Sequence, residues 1–342
     1  VVDATVFTDP NNIDFQMATI TDLSGENIEI VRIDNITGNI LNTVRGQEGT
    51  TAIAHSDGYL ISNRVTAGTF DQFIQSERGG DAEGSDSVSI QPSRSVSTQV
   101  ASGVRAVAIG YGSTASLAGS LSVGELAAST GADGIAVGTN TVASAGDTIA
   151  IGRDTTASGS DSLAIGPDSQ ATTQNGVAIG DAASVTVNNN GVAIGAAAAT
   201  TCYSGVAIGT RADATGGSTG ADAIAIGLDT TATASNTIAI GDNASATVAD
   251  SISIGRQTIC SVFNSIAMGY AASCTVGDNA VSIGSSSDAK NTEAVAVGYL
   301  SQATATYSLA LGARADALAS GAIGIGYDAY ANGTDTICIG TD

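Results

Sequence analysis

One phrase, a small residue between two aliphatic residues and then a glycine, returns seventeen times in the last two-thirds of this 342-residue chain. The first copy reads VAIG at 107–110 and the last reads ICIG at 337–340. Of the sixteen intervals between successive glycines, thirteen are 14 residues, two are 15 and one is 18. A short fixed period of this kind indicates a solenoid, whose coils bury their apolar side against one another. The closing glycines are Gly110, Gly124, Gly138, Gly152, Gly166, Gly180, Gly195, Gly209, Gly227, Gly241, Gly255, Gly269, Gly284, Gly298, Gly312, Gly326 and Gly340.

The spacing inside the phrase predicts a β-strand. Its apolar residues lie two positions apart, which puts them on one face of a strand and excludes a helix. The residue between them is Ala or Ser, except at Gly324 and Cys338. Asp or Asn often stands five positions before the glycine, as at Asp161 and Asn236, where a left-handed turn residue is favoured. With a shorter polar strand after the glycine, as in TTA at 155–157, each coil is predicted to contain two short strands and two tight turns.

A coil of 14 residues encloses little interior. Two short strands bury too few side chains to offset the chain entropy of folding. We therefore expect the solenoid to pack against copies of itself around a shared axis. Sixteen steps of about 4.8 Å give a rod about 75–80 Å long. This reasoning leaves open which face lines the axis; we favour aliphatic residues inside each coil and small residues facing the axis.

The composition excludes several classes of partner. The net charge is −22, from 11 basic and 33 acidic residues, so nucleic acid and anionic membrane surfaces are not expected partners. No apolar run reaches the ~20 residues of a membrane-spanning helix, and no signal-peptide pattern is present. The four cysteines are expected to fill the core as small residues. A bridge between Cys260 and Cys274 is the alternative, which parallel Cβ vectors on adjacent coils disfavour.

The chain shows no constellation of catalytic residues, so we predict no enzyme activity, no cofactor and no metal site. His55 is the single histidine, and no nucleophile motif accompanies it. Acidic residues repeat at turn positions, which is typical of a solvated edge and not of a paired-carboxylate hydrolase. Stacked acids such as Asp133, Asp147 and Asp161 offer a weaker cation hypothesis, and exposed turn acids screened by salt are the favoured interpretation.

Four tyrosines directly follow a repeat glycine: Tyr111, Tyr270, Tyr299 and Tyr327. An aromatic ring at a turn can stack on a sugar, which makes Tyr270, Tyr299 and Tyr327 candidate glycan contacts. The favoured interpretation is structural, a ring that covers the end of the coil core, because the four appear irregularly spaced along the chain.

The residues before the repeats have a different pattern. Residues 1–75 predict a small β-rich domain, with alternating strands at 28–33 and 40–45 and a turn that contains Gly38 and Asn39. Residues 76–105 are rich in Ser, Gly and charge and are interpreted as a linker or a cap over the first strand edge. Within them SVSIQ at 87–91 is a candidate degenerate first coil. The roll itself is assigned to residues 106–342.

The repeat resembles the head of trimeric autotransporter adhesins, whose coils carry an Asn-Ser-x-Ala-Ile-Gly phrase. The segments NTIAIG at 236–241 and NSIAMG at 264–269 match it closely, and the resemblance extends over about residues 106–342. It implies a left-handed parallel β-roll and a homotrimer, with the aliphatic side of each copy buried along one axis. No heptad stalk or membrane barrel of that family precedes Asp342, so we expect a tip domain or another protein to follow the last coil.

The N-terminal region carries a second resemblance. The phrase RGQEGTT at 45–51 and its sequel RVTA at 64–67 are similar to the N-terminal module of tailed-bacteriophage tail-fibre proteins. This resemblance implies a virion-attachment domain in residues 1–75.

Together these patterns predict a non-enzymatic homotrimeric tail fibre located on the virion. Its partners would be further copies of itself, phage tail or baseplate proteins bound through residues 1–75, and a host cell-surface glycan or protein, without nucleic acid and without membrane insertion. The alternative is a trimeric adhesin on a bacterial surface that binds host matrix or glycans, and a glycan-degrading tailspike ranks last.

Overall fold

The computed structural model of the chain describes residues 16–21, 28–37, 40–47, 50–52, 60–62, 81–90, 100–216 and 222–340. All regular structure among them is β-strand. The chain divides into two compact units, one of Val1–Asp81 with Ser89–Ser95 and one of Ala82–Val88 with Val96–Asp342.

The repeats form two parallel ladders, in which each strand pairs with its counterpart one coil further along the chain. In the major ladder, which contains the repeated phrase, Leu163 pairs with Val177 and Ile165 with Ile179. Its strands are Val88–Ile90, Val107–Ile109, Leu121–Val123, Ile135–Val137, Ile149–Ile151, Leu163–Ile165, Val177–Ile179, Val192–Ile194, Val206–Ile208, Ala223–Ile226, Thr237–Ile240, Ile252–Ile254, Ile266–Met268, Val281–Ile283, Val295–Val297, Leu309–Leu311, Ile323–Ile325 and Ile337–Ile339.

The minor ladder supplies the second, two-residue strand of each coil. Its strands are Asp81–Ala82, Val100–Ala101, Thr114–Ala115, Ala128–Ser129, Val142–Ala143, Thr156–Ala157, Gln170–Ala171, Ser184–Val185, Ala199–Thr200, Asp213–Ala214, Thr231–Ala232, Ser245–Ala246, Ile259–Cys260, Ser273–Cys274, Asp288–Ala289, Gln302–Ala303, Asp316–Ala317 and Tyr330–Ala331. The predicted parallel β-solenoid of about seventeen coils is confirmed, and the left-handed winding stays a prediction. The segment expected to be a degenerate first coil contributes a strand to the major ladder, and Val88 N donates to Ala106 O at 2.8 Å.

The small residues, not the aliphatic ones, fill the interior of each coil, so the orientation favoured from the sequence is wrong. Ala164 is fully buried, whereas its neighbours Leu163 and Ile165 are half-buried and point outward. The buried alanines of the two ladders form continuous clusters along the roll. The physical reason is thickness: two backbones closed by tight turns leave between them a thin layer that Ala, Ser or Cys fills in most coils, while the minor ladder also admits Val185 and Thr200.

Most hydroxyl side chains that face this interior donate to nearby carbonyl groups; among the described residues, Ser89, Ser162 and Thr173 are exceptions. Ser122 Oγ donates to Ala127 O at 2.7 Å, and Thr155 Oγ1 donates to Gly166 O at 2.6 Å. Because a buried hydroxyl without a partner is costly, these bonds explain how Ser and Thr substitute for Ala inside the coil.

The turns contain residues in the left-handed region, as the Asp and Asn positions predicted. Five residues before the glycine, Asp161 has φ 58° and Asn236 has φ 56°. A second such position, two residues after the glycine, was not predicted; it holds Asp168 at 57° but also Leu126 at 54°. Since residue type varies widely there, the stacked ladders impose the conformation and local sequence preference does not.

The repeat glycines meet two constraints at once. Gly166 has φ 122°, a conformation open to glycine but strained for other residues. A Cβ atom built on it would lie 2.5 Å from the carbonyl oxygen of Gly180, the equivalent glycine one coil further along. The glycine therefore sets both the bend and the close stacking of neighbouring turns.

The first unit contains a four-stranded antiparallel sheet. Its strands, in spatial order, are Ile40–Gln47, Ile28–Thr37, Gln16–Thr21 and Leu60–Ser62. The two segments predicted as strands are the first two in this order, and the turn predicted at 38–39 lies outside the described residues. Ala18, Val31 and Ile33 form its small buried core.

Candidate functional site

The outer face of the major ladder is apolar over the whole length of the roll. We call the two outward positions of each strand, one and three residues before the glycine, the aliphatic strip. Its side chains are half-buried or exposed, with Ile151 exposed by 38% and Leu311 by 42%. Two rows about 6.6 Å apart over about 80 Å span an area of about 500 Å². That is at the upper end of the largest apolar patch that a soluble monomer ordinarily exposes, so the strip is a candidate interaction surface.

The outer face of the minor ladder is more polar. Thr156, Gln170, Asp213 and Asp288 occupy its outward positions, with Ile259 among the exceptions. The chain therefore presents one predominantly apolar face and one predominantly polar face.

Charged residues concentrate on the turn edge, by which we mean the two residues that follow each repeat glycine. Arg153 pairs with Asp154 at 2.5 Å and with Asp168 of the next coil at 3.1 Å. Arg211 pairs in the same way with Asp229, and the hydrogen bond from the guanidinium lowers the pKa of that carboxyl. These pairs link consecutive coils of one chain, and their charges mark the turn edge as a solvated surface.

The tyrosines of the turn edge are exposed, and two of them stack with arginine. The Arg256 guanidinium lies 4.7 Å from the ring centroid of Tyr270, and that of Arg314 lies 4.6 Å from the ring centroid of Tyr327. Arg314 also forms an ion pair with Asp328, and its hydrogen bond lowers the pKa of the Asp328 carboxyl.

The spacing of the tyrosines is regular when it is counted in coils. Tyr270, Tyr299 and Tyr327 follow Gly269, Gly298 and Gly326, which are separated each time by one coil without tyrosine. Only Tyr111 stands apart. The four tyrosines as a set are irregularly spaced, as the sequence indicates, and the regular spacing holds for these three alone.

The repeated turn acids do not form a metal centre in the described part of the chain. No group of three or more His, Cys, Asp or Glu side chains lies close enough to hold an ion there. Asp133, Asp147 and Asp161 all occupy the left-handed turn position, which gives them a structural role. In an equivalent pair of coils, Asn236 Nδ2 donates to Asp250 Oδ1 at 2.9 Å, so neighbouring turns are linked without a cation.

The cysteines lie in or next to the interior. Cys260 and Cys274 are register partners on adjacent minor-ladder strands, and both are buried free thiols. A hydrogen bond with Cys260, and then burial, raises the pKa of the Cys274 thiol. Cys202 is a buried free thiol as well, whose Sγ donates to Ala214 O at 3.1 Å. The bridge kept as an alternative is absent, and the interpretation as small fillers fits these positions.

In the first unit, the described residues of the RGQEGTT phrase, 45–47 and 50–51, lie near a buried carboxylate. Glu29 is fully buried, forms an ion pair with Arg45, and accepts a hydrogen bond from Gly46 N at 2.9 Å. Thr50 Oγ1 donates to Gln47 O at 2.7 Å and accepts from Ile30 N at 3.0 Å. The phrase thus has a local structural role, while Glu48–Gly49, His55 and the RVTA sequel at 64–67 lie outside the described residues.

Among the described residues, no helix is long and apolar enough to cross a membrane. A family model described as "YadA head domain repeat (2 copies)" matches residues 101–124, 129–155, 157–183, 218–244, 232–258, 263–287, 289–315 and 317–342. These matches cover more than half of the chain and fall on the roll. A search of curated proteins finds no match.

Proposed function

The chain belongs to the YadA head domain repeat family, and from that premise we propose that three copies form a stiff, non-enzymatic rod that attaches a particle or cell to a host surface. The family and the solenoid support an adhesin-type structural protein exposed on a surface. The trimer, the host contact and the structure that carries the rod are our proposal.

The observation that carries the trimer is the aliphatic strip. The interior of each coil is already filled by alanine, so the strip is not needed to close the coil. At about 25 cal/mol per Å², removing from water about 500 Å² of apolar surface per chain represents a driving force of about 12 kcal/mol before association costs. One continuous strip per chain is covered in a closed cyclic arrangement, and the resemblance to the heads of trimeric autotransporter adhesins leads us to propose three strips meeting along one axis.

The arrangement gives the rod its function through geometry. Three identical chains present three identical outer surfaces, so weak contacts with a host surface add through multivalency. Seventeen ladder steps keep the two ends about 80 Å apart at a fixed distance. No chemical step is required.

A pair of charge substitutions tests this proposal. Ile165→Glu with Ile179→Glu places two carboxylates on the aliphatic strip, and Thr156→Glu with Gln170→Glu places two on the outer face of the minor ladder of the same coils. The first double variant should yield monomers or unfolded chains, because charge cannot be buried unpaired at the axis. The matched control should remain a trimer by sedimentation velocity.

A strip variant that stays trimeric with unchanged thermal stability overturns the proposed axis. So does a control variant that dissociates while the strip variant does not. Unfolding of the strip variant alone supports a shared core, since the substituted positions do not fill the interior of the coil.

For the carrier of the rod we propose a bacteriophage tail, with residues 1–75 as the virion-attachment domain, residues 76–105 as linker or cap, and residues 106–342 as the projecting roll. The support is the resemblance of the RGQEGTT phrase to tail-fibre modules. To test this role, phage particles are produced with a chain that lacks residues 1–75, purified and examined by immunoblot. The purified particles should not contain the shortened protein. Particles that still carry it contradict the attachment role.

A bacterial surface adhesin is the second candidate, and the family match, which lies on the roll, supports it equally well. Gold-labelled antibody distinguishes the two. Label on tail structures of virions supports the fibre, and label on the outer surface of uninfected cells supports the adhesin.

A further inference from the structure

Three tyrosines stand in register along one edge of the roll. Ser286 N donates to Tyr270 O at 2.7 Å, Leu300 N to Ser285 O at 2.9 Å, and Arg314 N to Tyr299 O at 2.7 Å. Each bond joins one turn to the next, so equivalent positions on consecutive coils are stacked. The five consecutive positions are occupied by Tyr270, Ser285, Tyr299, Ala313 and Tyr327.

The rings are accessible. Tyr270, Tyr299 and Tyr327 are exposed by 44%, 56% and 52%, and the residues between them, Ser285 and Ala313, are small. Arg256, on the coil before Tyr270, lies over one face of its ring. The opposite face is left toward Ser285 and the coil of Tyr299. Arg314, on the coil before Tyr327, lies over the Tyr327 ring in the same way, so the open slot is the one between Tyr270 and Tyr299.

The spacing fits a sugar ring. Two coil steps of about 4.8 Å separate neighbouring tyrosines by about 9.5 Å. A ring held between two aromatic side chains needs about 7–8 Å, twice the contact distance of 3.5–4.0 Å between carbon atoms. A modest inward tilt of Tyr270 and Tyr299 closes that difference.

The chemistry favours a neutral glycan. Tyrosine offers an apolar ring for the C–H face of a pyranose and a hydroxyl for its polar rim. Arg256 and the Arg314–Asp328 pair add donors and acceptors beside the rings. With a net charge of −22, the chain repels polyanions but not an uncharged polysaccharide.

We infer that Tyr270 and Tyr299 form a binding slot for one pyranose ring of an extended neutral polysaccharide, and that Tyr327 lies further along the same row beside the chain of sugars. This inference rests on the proposed function and names the host ligand of the rod. The row stays open in the trimer, because the turn edge carries ion-paired charges such as Arg153 and Asp168, which interface cores exclude.

The test uses the full chain and neutral glucan, mannan and galactan oligosaccharides of six or more residues. The chain has eight tyrosines and no tryptophan, so tyrosine fluorescence reports binding directly. Tyr299→Ala should weaken binding of the preferred oligosaccharide by about tenfold or more. Tyr111→Ala, at the same turn position far from the row, and Tyr330→Ala, exposed on the minor ladder, should leave affinity unchanged.

Absence of binding to all three neutral oligosaccharides at millimolar concentration overturns the inference, as does equal weakening by Tyr111→Ala. Binding only to a polyuronate overturns the neutral-ligand assignment. Sedimentation velocity on the same samples separates this result from the rod proposal: a trimer without sugar binding removes the binding slot alone. A Tyr299→Ala chain that dissociates assigns the tyrosines to the interface and also overturns the inference.

Discussion

Replacing the repeat glycine Gly166 by alanine should destabilise the roll far more than replacing Gly146, a glycine outside the repeated phrase, by alanine. At Gly166 the added Cβ would lie 2.5 Å from the Gly180 carbonyl oxygen and 2.7 Å from its carbonyl carbon. Both atoms belong to the stacked backbone of the next coil, so no flexible side chain can move aside.

The magnitude follows from two separate costs. A non-glycine residue at φ 122° is strained by about 1–3 kcal/mol. Backbone displacement to relieve the clash adds about 1–3 kcal/mol, as in overpacked cores. The sum, about 2–6 kcal/mol per chain, is a large part of the 5–15 kcal/mol by which domains are typically stable.

Gly146→Ala is the matched control. Its added Cβ would meet nothing closer than Ala132 O at 4.0 Å, and Gly146 is not in the left-handed region. Its stability should stay the same or rise by about 0.4–1 kcal/mol through lower entropy of the unfolded chain. Guanidinium unfolding followed by far-ultraviolet circular dichroism, at equal protein concentration, compares the two. Equal midpoints for both variants refute the argument that glycine is required by stacking.

Other predictions concern the turns and the thiols. Leu126→Asn should raise the free energy of unfolding by about 0.5–1 kcal/mol, because Leu126 is held at φ 54° and Asn tolerates that region; a lower midpoint in guanidinium contradicts it. Arg314 lowers the pKa of Asp328 from its ordinary value of 3.8, so this pair stabilises the fold above that pH and the contribution is lost as the pH falls through the lower folded value. Arg314→Ala should therefore unfold earlier than wild type at neutral pH, and the difference should shrink as the pH falls below 3.8; a difference that stays constant over that range argues against the pair. In the native protein a thiol reagent should modify Cys338 first and the three buried cysteines, Cys260 among them, only on unfolding; fast labelling of all four contradicts the sealed interior.

The repeat architecture was predictable because the sequence states it redundantly. Seventeen copies of the phrase at a nearly constant interval predict a β-solenoid and no other fold class. The preference for Asp and Asn predicts a left-handed turn position, which Asp161 and Asn236 confirm. The alternation in each strand also showed that its two faces differ. A period of two residues is enough to identify the two faces, because successive side chains of any β-strand point to opposite sides.

The assignment of those faces failed because it rested on hydrophobicity and not on volume. The residue between the aliphatic positions is never larger than cysteine, and that limit was the signal for a thin interior. The aliphatic strip outside is consistent with burial between chains, which a single chain cannot display. Leu126 shows the converse case, in which stacked ladders impose a conformation that its own sequence does not favour.

The candidate binding slot depended on counting in structural units. The 15-residue coil between Gly269 and Gly284 shifts the residue spacing of the tyrosines, while hydrogen bonds between turns restore their register. The arginines stacked on Tyr270 and Tyr327 had no sequence signal, since cation–π contacts arise here between residues 13 or 14 positions apart.

The mass of the unmodified chain in dilute solution tests the central claim most directly. Sedimentation equilibrium of the full chain should give three times its mass of 33.4 kDa, with full β-structure by circular dichroism in the same sample. A folded species of 33.4 kDa would contradict the account, because its aliphatic strip would then be stable in water.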